Sequence, residues 1–281
     1  MTAVSSPDEL ILRIGADRQM PDRPFRSLWE ARELLYLLTR REIRLRYQHS
    51  IVGIGWAVLQ PLVTLLVLTM FQVIMGRRSS GTVPYPLYAV IGLVPWTFLS
   101  HALTQSSHSV LSYYSLIQKV SFPRLALPLA AVLSATADFI VGFPLVPILM
   151  LNYGFPPNRM VLLLPVFTLQ IILLAAGLGI FLASVNTRFR DTANALPLVM
   201  QLWFFLTPII FTSDMIPPKW QLLAGLNPML GILEGFRWCL FGTAPPMLGF
   251  WVACSWFITI ALLAIGLVTF LRGEEMLAEQ A

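Results

Sequence analysis

Charge is what this chain has least of. Only 12% of its 281 residues are Asp, Glu, Lys or Arg, against 57% hydrophobic ones, and mean hydropathy is +0.73. Water-soluble domains carry roughly 25% charged residues, so a chain this long with half that fraction has too little polar surface to face water. Lysine is nearly missing: Lys119 and Lys219 are the only two, and neither follows a glycine-rich loop. The Gly-x-x-x-x-Gly-Lys-Ser/Thr phosphate loop is therefore lacking, and with it ATP hydrolysis by that route. No His-Glu-x-x-His or Gly-x-Ser-x-Gly pattern occurs, and paired acids of the kind a membrane glycosyltransferase needs are not evident. Cysteine is limited to Cys239 and Cys254, whose spacing suits neither metal nor redox chemistry; both read as packing residues. His101 and His108 are seven apart without a carboxylate or thiol nearby, so no metal site is expected. The first 46 residues hold no apolar run ahead of a small-residue cleavage site, so no secretory signal is expected there.

What the chain does have is long uncharged runs. Arg32, Arg40, Arg41, Arg44 and Arg46 crowd one segment, and from Tyr47 to Gly76 no Asp, Glu, Lys or Arg follows. A basic cluster running into an apolar stretch marks a membrane entry point with the basic side cytoplasmic. A helix needs about 20 apolar residues to cross a bilayer. Six segments supply them, near 50–75, 85–107, 126–150, 160–183, 195–213 and 246–271. The expected fold is an all-α polytopic membrane protein with six transmembrane helices, since irregular backbone does not face lipid. Pro61, Pro95, Pro144 and Pro147 lie inside spans and should kink them. Outside these spans, fourteen Lys and Arg fall on one side and five on the other, which puts both termini in the cytoplasm. The net charge of +5 is topological and suits lipid headgroups, not nucleic acid.

Around the spans, residues 1–27 read as a polar arm and 272–281 as a cytoplasmic tail. Residues 28–46 read as an amphipathic helix in the interface plane, with Glu30, Glu33, Arg40 and Arg44 on one arc and Leu28, Ala31, Leu34, Leu35, Leu38 and Leu45 on another. That pattern suits a membrane-surface anchor, with or without a partner docked on it. The stretch 214–241 is too long and too apolar for a simple loop. Pro217-Pro218 opens it and Asn227-Pro228 breaks it, which suggests two re-entrant helices before the last span. In it, Gly231 and Gly235 permit close helix approach, and Glu234 and Arg237 are three apart and can pair.

Asp138 is the only acid well inside an expected span, so it should face protein or a water-filled path. Mid-span aromatics, including Trp96 and above all Trp203, Phe204 and Phe205, read as packing or as the lining of a wide path, because ring faces stack on sugar C–H surfaces. Ala175, Gly179 and Ala183 recur every four residues, a helix-contact stripe most simply satisfied within one protomer.

Several stretches together resemble a known family: Leu37 to Tyr47, Ser50, Gly53, Gly55-Trp56, Gln60-Pro61, Gly92 to Trp96, Lys119 to Arg124, Val185 to Asp191 and Leu226 to Met229. The chain, over about residues 28–271, resembles the permease subunit of ABC-2 type exporters of lipid-linked polysaccharides, the class handling O-antigen (lipopolysaccharide), teichoic acid, capsule and galactan. The resemblance implies a homodimer in the bacterial cytoplasmic membrane, bound to two separate ATPase subunits that hold ATP and Mg, with no cofactor in this chain and a polyprenyl-linked glycan as substrate. It implies that 28–46, with Glu30, Glu33, Arg40, Arg41 and Arg44, is the ATPase interface helix. It implies that 115–125, with Gln118, Lys119, Phe122, Pro123 and Arg124, is the coupling helix. Arg46, Arg188 and Arg190 would contact a headgroup or the ATPase, and Asn227, Pro228, Glu234 and Arg237 would belong to an external gate. An ABC-2 type permease for a drug or small lipid, and less favourably an ion-coupled carrier using Asp138, are the alternative readings.

Overall fold

The computed structural model describes residues 28–48, 50–74, 83–113, 122–189 and 191–279, and among these every regular element is helical. Ten α-helices follow in order among them: α1 (Arg32–Tyr47), α2 (Trp56–Ile74), α3 (Tyr85–Ser112), α4 (Ala126–Gly142), α5 (Leu145–Asn152), α6 (Leu164–Arg188), α7 (Asp191–Leu206), α8 (Pro218–Ala224), α9 (Pro228–Phe241) and α10 (Leu248–Glu279). The polar arm 1–27, residues 115–121 of the expected coupling segment with Gln118 and Lys119, and Arg190 lie outside the described residues.

Among the described residues, five helical stretches are long and apolar enough to cross a membrane: Gly53–Ile74, Tyr85–Ser112, Ala126–Asn152, Arg159–Arg188 and Leu248–Gly273. They match the expected first, second, third, fourth and sixth spans to within a few residues. The third is interrupted at Phe143-Pro144, where Pro144 withholds an N–H from the ladder and α4 hands over to α5. The stretch expected as a span at 195–213 is different. Helix α7 stops at Leu206 after 16 residues, roughly 24 Å of rise against a hydrocarbon core of about 30 Å. The stop is local: Pro208 disfavours helical backbone at Thr207, whose hydroxyl bonds back to the Trp203 carbonyl at 2.8 Å. At the other end of the chain, α10 continues through Glu279, so the segment 272–279 is helix continuous with the last span.

The helices are unequally buried, and this sets the architecture. α3 is the central rod: 72% of its most apolar window is buried, against 11% for the stretch containing α2 and 22% for α10. A helix hydrophobic all round is accommodated by neighbours all round. α3 meets α4, α6, α9, α2 and α7, with Leu87, Ile91, Leu99 and Leu103 sealed inside. The expected small-residue stripe of α6 is buried within the chain: Gly179 sits against Ser106 of α3 and Val132 of α4, and Ala175 and Ala183 are fully covered. By contrast α2 buries only Pro61 and Leu65, and exposes Val63, Leu66, Val67 and Met70.

The break-and-return segment is two helices, α8 and α9, separated at 225–227. Asn227 caps α9, its side-chain oxygen accepting from the Met229 N–H at 3.1 Å. Pro228 follows at the first helical position, and Gly242 ends the helix at φ 75°. α9 is almost wholly internal, with every residue from Pro228 to Arg237 buried. Its two glycines make this possible. A Cβ on Gly231 would stand 2.4 Å from the Trp251 carbonyl of α10, and one on Gly235 would stand 2.1 Å from the Phe167 ring of α6.

Gly231→Leu and Gly235→Leu should each force helices apart and destabilise the protein by about 1–3 kcal/mol or more. The check is a fall in detergent-solubilised unfolding temperature and loss of the monodisperse peak, while Gly249→Ala, at a glycine with open space around it, leaves both unchanged.

Candidate functional site

Three helices with different burial enclose a groove in the bundle. A groove of about 330 Å³ runs between α2 (Gln60, Thr64), α3 (Leu93, Trp96, Thr97, Ser100, His101, Thr104) and α7 (Pro197, Met200, Gln201, Phe204). Its α3 wall follows from helical spacing: Thr97, Ser100, His101 and Thr104 share one face of the helix. Thr97 and Thr104 bond their hydroxyls to the backbone one turn earlier, both at 2.8 Å, which satisfies them without charge. The aromatic side of the groove is Trp96 and Phe204, with ring centroids 5.5 Å apart. Among the described residues no Asp, Glu, Lys or Arg lines it. Amide and hydroxyl groups set beside flat aromatic faces suit a neutral, hydroxyl-rich ligand. Below it, a void of about 20 Å³ lies among Ala57, Pro61, Thr97, His101, Asp138 and Gly142, room for about one water.

At the end of α3 where the chain enters it, Glu234 and Arg237 of α9 form a buried ion pair at 2.7 Å, both under 5% exposed. Arg237 engages both terminal nitrogens: Nη1 also donates to the Tyr88 hydroxyl at 2.7 Å, and Nη2 donates to the Pro208 carbonyl at 2.7 Å and the Tyr88 carbonyl at 3.3 Å, while its Nε is buried without a hydrogen-bond partner among the described residues. Its guanidinium lies 3.4 Å from the Tyr88 ring centroid. The Tyr88 hydroxyl donates to Glu234 at 3.2 Å and accepts from the Ser213 N–H at 3.0 Å. Beside this node, Asn227 accepts from the Trp203 indole N–H at 2.9 Å and donates to Thr207 at 3.1 Å. The node thus ties α9, α3 and the 207–213 turn together.

At the opposite end of α3 stands a second charged cluster. Helix α1 and the residues leading into it lay Leu28, Leu34, Leu35 and Leu38 against Tyr113, Phe122, Ala126, Leu127 and Ala130. This apolar arc therefore meets protein, except Leu45, which is exposed. Tyr113, one residue past α3, donates to Glu42 and carries Arg41 over its ring at 4.8 Å. Burial first, and then the Glu42 carboxylate, raises the Tyr113 phenol above its ordinary pKa and keeps it a donor. Arg46 turns inward: its guanidinium pairs with Asp138 and donates to Gln105 and, at 2.8 Å, to Ser134. Tyr47 donates to the other Asp138 oxygen at 2.5 Å. Asp138 is buried at 7% exposure. A lone charge at bilayer depth costs about 2.5–3.5 kcal/mol, and Arg46 offsets it.

The structure thus distributes the expected residues. Glu30, Glu33, Arg40, Arg41 and Arg44 lie on the exposed side of the α1 segment. Phe122, Pro123 and Arg124 lead into α4 beside α1, half-buried. Arg188 is exposed over Phe189 at the end of α6. Of the three aromatics of α7, Phe204 lines the groove, Trp203 is held by Asn227 with Trp96 edge-on at 5.7 Å, and Phe205 points outward, 57% exposed. Sequence reasoning missed Tyr88 as a partner of the ion pair, Gln201 and the polar stripe of α3, and had Gln60 only as part of the Gln60-Pro61 motif. The spacing Thr97, Ser100, Thr104 was the signal for the stripe. Nothing in the sequence pointed to Arg46 as the partner of Asp138, far along the chain. Among the described residues no three His, Cys, Asp or Glu side chains gather as metal ligands.

Residues 33–241 match the family described as ABC-2 type transporter. The chain is similar to the O-antigen export system permease protein RfbA of Myxococcus xanthus, 30% identical over 217 residues, which covers 76% of this chain and 83% of that protein. It is similar to the RfbA of Klebsiella pneumoniae, 28% identical over 73% of this chain and 79% of that one. It is also similar to the polysialic acid transport protein KpsM of Escherichia coli, 25% identical over 86% and 93%.

Arg237→Ala would leave Glu234 buried without its cation, and should cost about 3–5 kcal/mol. Tyr88→Phe removes one hydroxyl and should cost about 1–3 kcal/mol. Unfolding temperatures of the solubilised variants check the order: Arg237→Ala lowest, Tyr88→Phe intermediate, wild type highest.

Proposed function

The chain belongs to the ABC-2 type transporter family, and from that premise we propose that it is the membrane permease of an ATP-driven exporter of a lipid-linked polysaccharide of the O-antigen or capsular kind. It is a multi-pass membrane protein of a family whose members lack an ATPase domain, and ATP hydrolysis falls to a separate partner subunit. The relatives named for O-antigen export and polysialic acid transport support the cargo class.

The single observation that carries the reading is the groove. It is lined by amides, hydroxyls and the Trp96 and Phe204 rings, and its two outer walls, α2 and α7, are the least covered helices flanking it. Val63, Leu66, Val67 and Met70 on α2 and Leu198, Val199, Leu202 and Phe205 on α7 are exposed. A homodimer closing over these faces turns two side-facing grooves into one path along the seam. The uncharged lining fits a glycan chain sliding past without being trapped. In this arrangement α7, with the 207–216 turn, makes a sixth crossing, and the Lys and Arg bias sets both termini in the cytoplasm.

Two ATPase copies then dock on the α1 side. Exposed Glu30, Glu33, Arg40, Arg41 and Arg44 and the segment Gln118 to Arg124 form the contact surface, and Arg188 and Arg190 meet the ATPase or a pyrophosphate headgroup. Arg46 is committed to Asp138 and drops out of that set. Asp138, neutralised by an arginine, is poorly suited to carry a coupling proton. Helices α8 and α9 dip in from the outside. Asn227, Pro228, Glu234 and Arg237 form the fixed root of the external gate, and exposed Trp220, Leu222 and Leu223 of α8 its free edge.

The test is reconstitution. The chain should co-purify with its ATPase subunit, and the complex in proteoliposomes should move polyprenyl-pyrophosphate-linked glycan in an ATP-dependent way. Ser100→Trp, which fills the groove, should cut export at least tenfold while ATP hydrolysis persists. Full export by that variant would remove the groove from the path. Arg124→Glu should leave the permease folded, judged by its unfolding temperature, and uncouple hydrolysis from export; unchanged export would remove 115–125 from the coupling surface.

A further inference from the structure

We propose that the Arg46–Asp138 ion pair is the fulcrum by which α1 sets the position of the first span, so that Arg46 and Asp138 are positioning residues for transport. The inference rests on the reading of the chain as the membrane subunit of an ATP-driven exporter.

Three observations converge on the junction between α1 and α2. The junction is received by one stripe of α4. Ser134, Asp138 and Gly142 stand four apart on a single helix face. Ser134 accepts from Arg46, Asp138 binds Arg46 and Tyr47, and Gly142 lies so near α2 that a Cβ there would sit 3.0 Å from the Ala57 carbonyl. The last residues of α1 and the first turn of α2 are thus seated on the same rail, with Gln105 of α3 completing the socket.

The elements on either side of that seat differ in how firmly they are held. Before it, α1 is gripped through Leu38, Arg41 and Glu42 to Tyr113 and the start of α4, where the chain leads into and out of the 114–121 segment. After it, α2 is the least buried of the five long apolar stretches and has only Pro61 and Leu65 in the interior. α2 is also one wall of the groove, through Gln60 and Thr64.

Beneath the seat is space. The void of about 20 Å³ is lined by Ala57 and Pro61 of α2, by Asp138 and Gly142 of α4 and by Thr97 and His101 of α3. A tilt of α1 pivoting on Arg46 can swing α2 away from it, since α2 is packed on this side only, without prising apart the α3, α4, α6 and α9 packing. An ion pair with a buried carboxylate and a partly exposed guanidinium suits a pivot because it resists separation yet tolerates rotation about its bonds, whereas interlocked apolar side chains have little freedom to deform.

The test uses the permease with its ATPase partner in proteoliposomes, with Cys239 and Cys254 replaced by Ala and Thr64→Cys as a reporter on α2. In the otherwise unaltered pair, vanadate trapping of the ATPase should change the rate at which a membrane-impermeant maleimide labels the introduced thiol at least fivefold. With Asp138→Asn that change should vanish, and the ATP consumed per glycan exported should rise at least tenfold with the complex still assembled. The exchanged variant Arg46→Asp with Asp138→Arg should recover at least part of both. A role confined to stability would lower complex yield and leave the labelling response and the ATP-to-glycan ratio of the surviving complex as they were, and that result overturns the proposal. If Asp138→Asn does not assemble, the exchanged variant decides: assembly with coupling supports the fulcrum, and assembly without coupling, or no assembly, overturns it. A parent chain that fails to bind the ATPase at all instead defeats the exporter reading on which the fulcrum stands, whereas normal export by Asp138→Asn defeats the fulcrum alone.

Discussion

Placing a guanidinium inside an apolar bundle is tolerable only when its charge finds an opposite and its terminal nitrogens find acceptors, and the position of α9 follows from how Nη1 and Nη2 of Arg237 meet that demand. Its donor fork is divided among Glu234 on its own helix, the hydroxyl and carbonyl of Tyr88 on α3, and the Pro208 carbonyl of the turn after α7. Those acceptors belong to separate elements, so satisfying one side chain fixes where the three meet. Helix α9 cannot withdraw without stranding a cation. The Thr207-Pro208 turn cannot straighten into a longer helix without removing an acceptor. The glycines of α9 serve the same end, since only bare backbone at Gly231 and Gly235 lets the helix sit deeply enough for Arg237 to reach.

A division of labour among the helices follows. α3, α4, α6 and α9 interlock through buried apolar side chains and small-residue contacts, and such packing has little freedom to deform. α2 and α7 are held along one side only, and the polar groove lies between them and the α3 rod. The groove is therefore bounded by one rigid wall and two that are lightly attached. Among the described residues its lining carries no carboxylate, ammonium or guanidinium, which spares it the cost of burying those charges.

The two ends of the bundle handle charge differently. At the α9 end the ion pair lies within one helix, three residues apart, and locks a structure. At the α1 end the pair joins the basic helix α1 to α4 across the junction with α2. Both carboxylates are buried, but Arg46 is partly exposed where Arg237 is sealed, and only the second pair joins different helices. Identity to the relatives is 24 to 30%, and the family match runs from Glu33 through Phe241, enclosing both pairs, the groove and α9.

Much of this was legible in the residues. Long uncharged runs can only be helices in an apolar solvent, so the class and five of the long spans could be read directly, as could the break at Pro217-Pro218 and Asn227-Pro228 and the pairing of Glu234 with Arg237, which lie within one helical turn. The helix α7 ends before its apolar run does, which continues through Pro208 to Phe211: hydropathy measures solvent preference, and helix termination depends on a missing N–H and a restricted neighbour. The site was less legible. Trp203, Phe204 and Phe205 were grouped together, and of the three only Phe204 borders the groove, because composition marks aromatic residues but not the direction each one faces. By itself, then, the sequence determined solvent, helical class, family and the local pairs, all of which depend on residues near one another in the chain. Which distant residue neutralises Asp138, which face of α3 borders the groove, and which spans are firmly held were decided only by the tertiary structure, because each depends on how helices far apart in sequence rotate to satisfy burial and charge together.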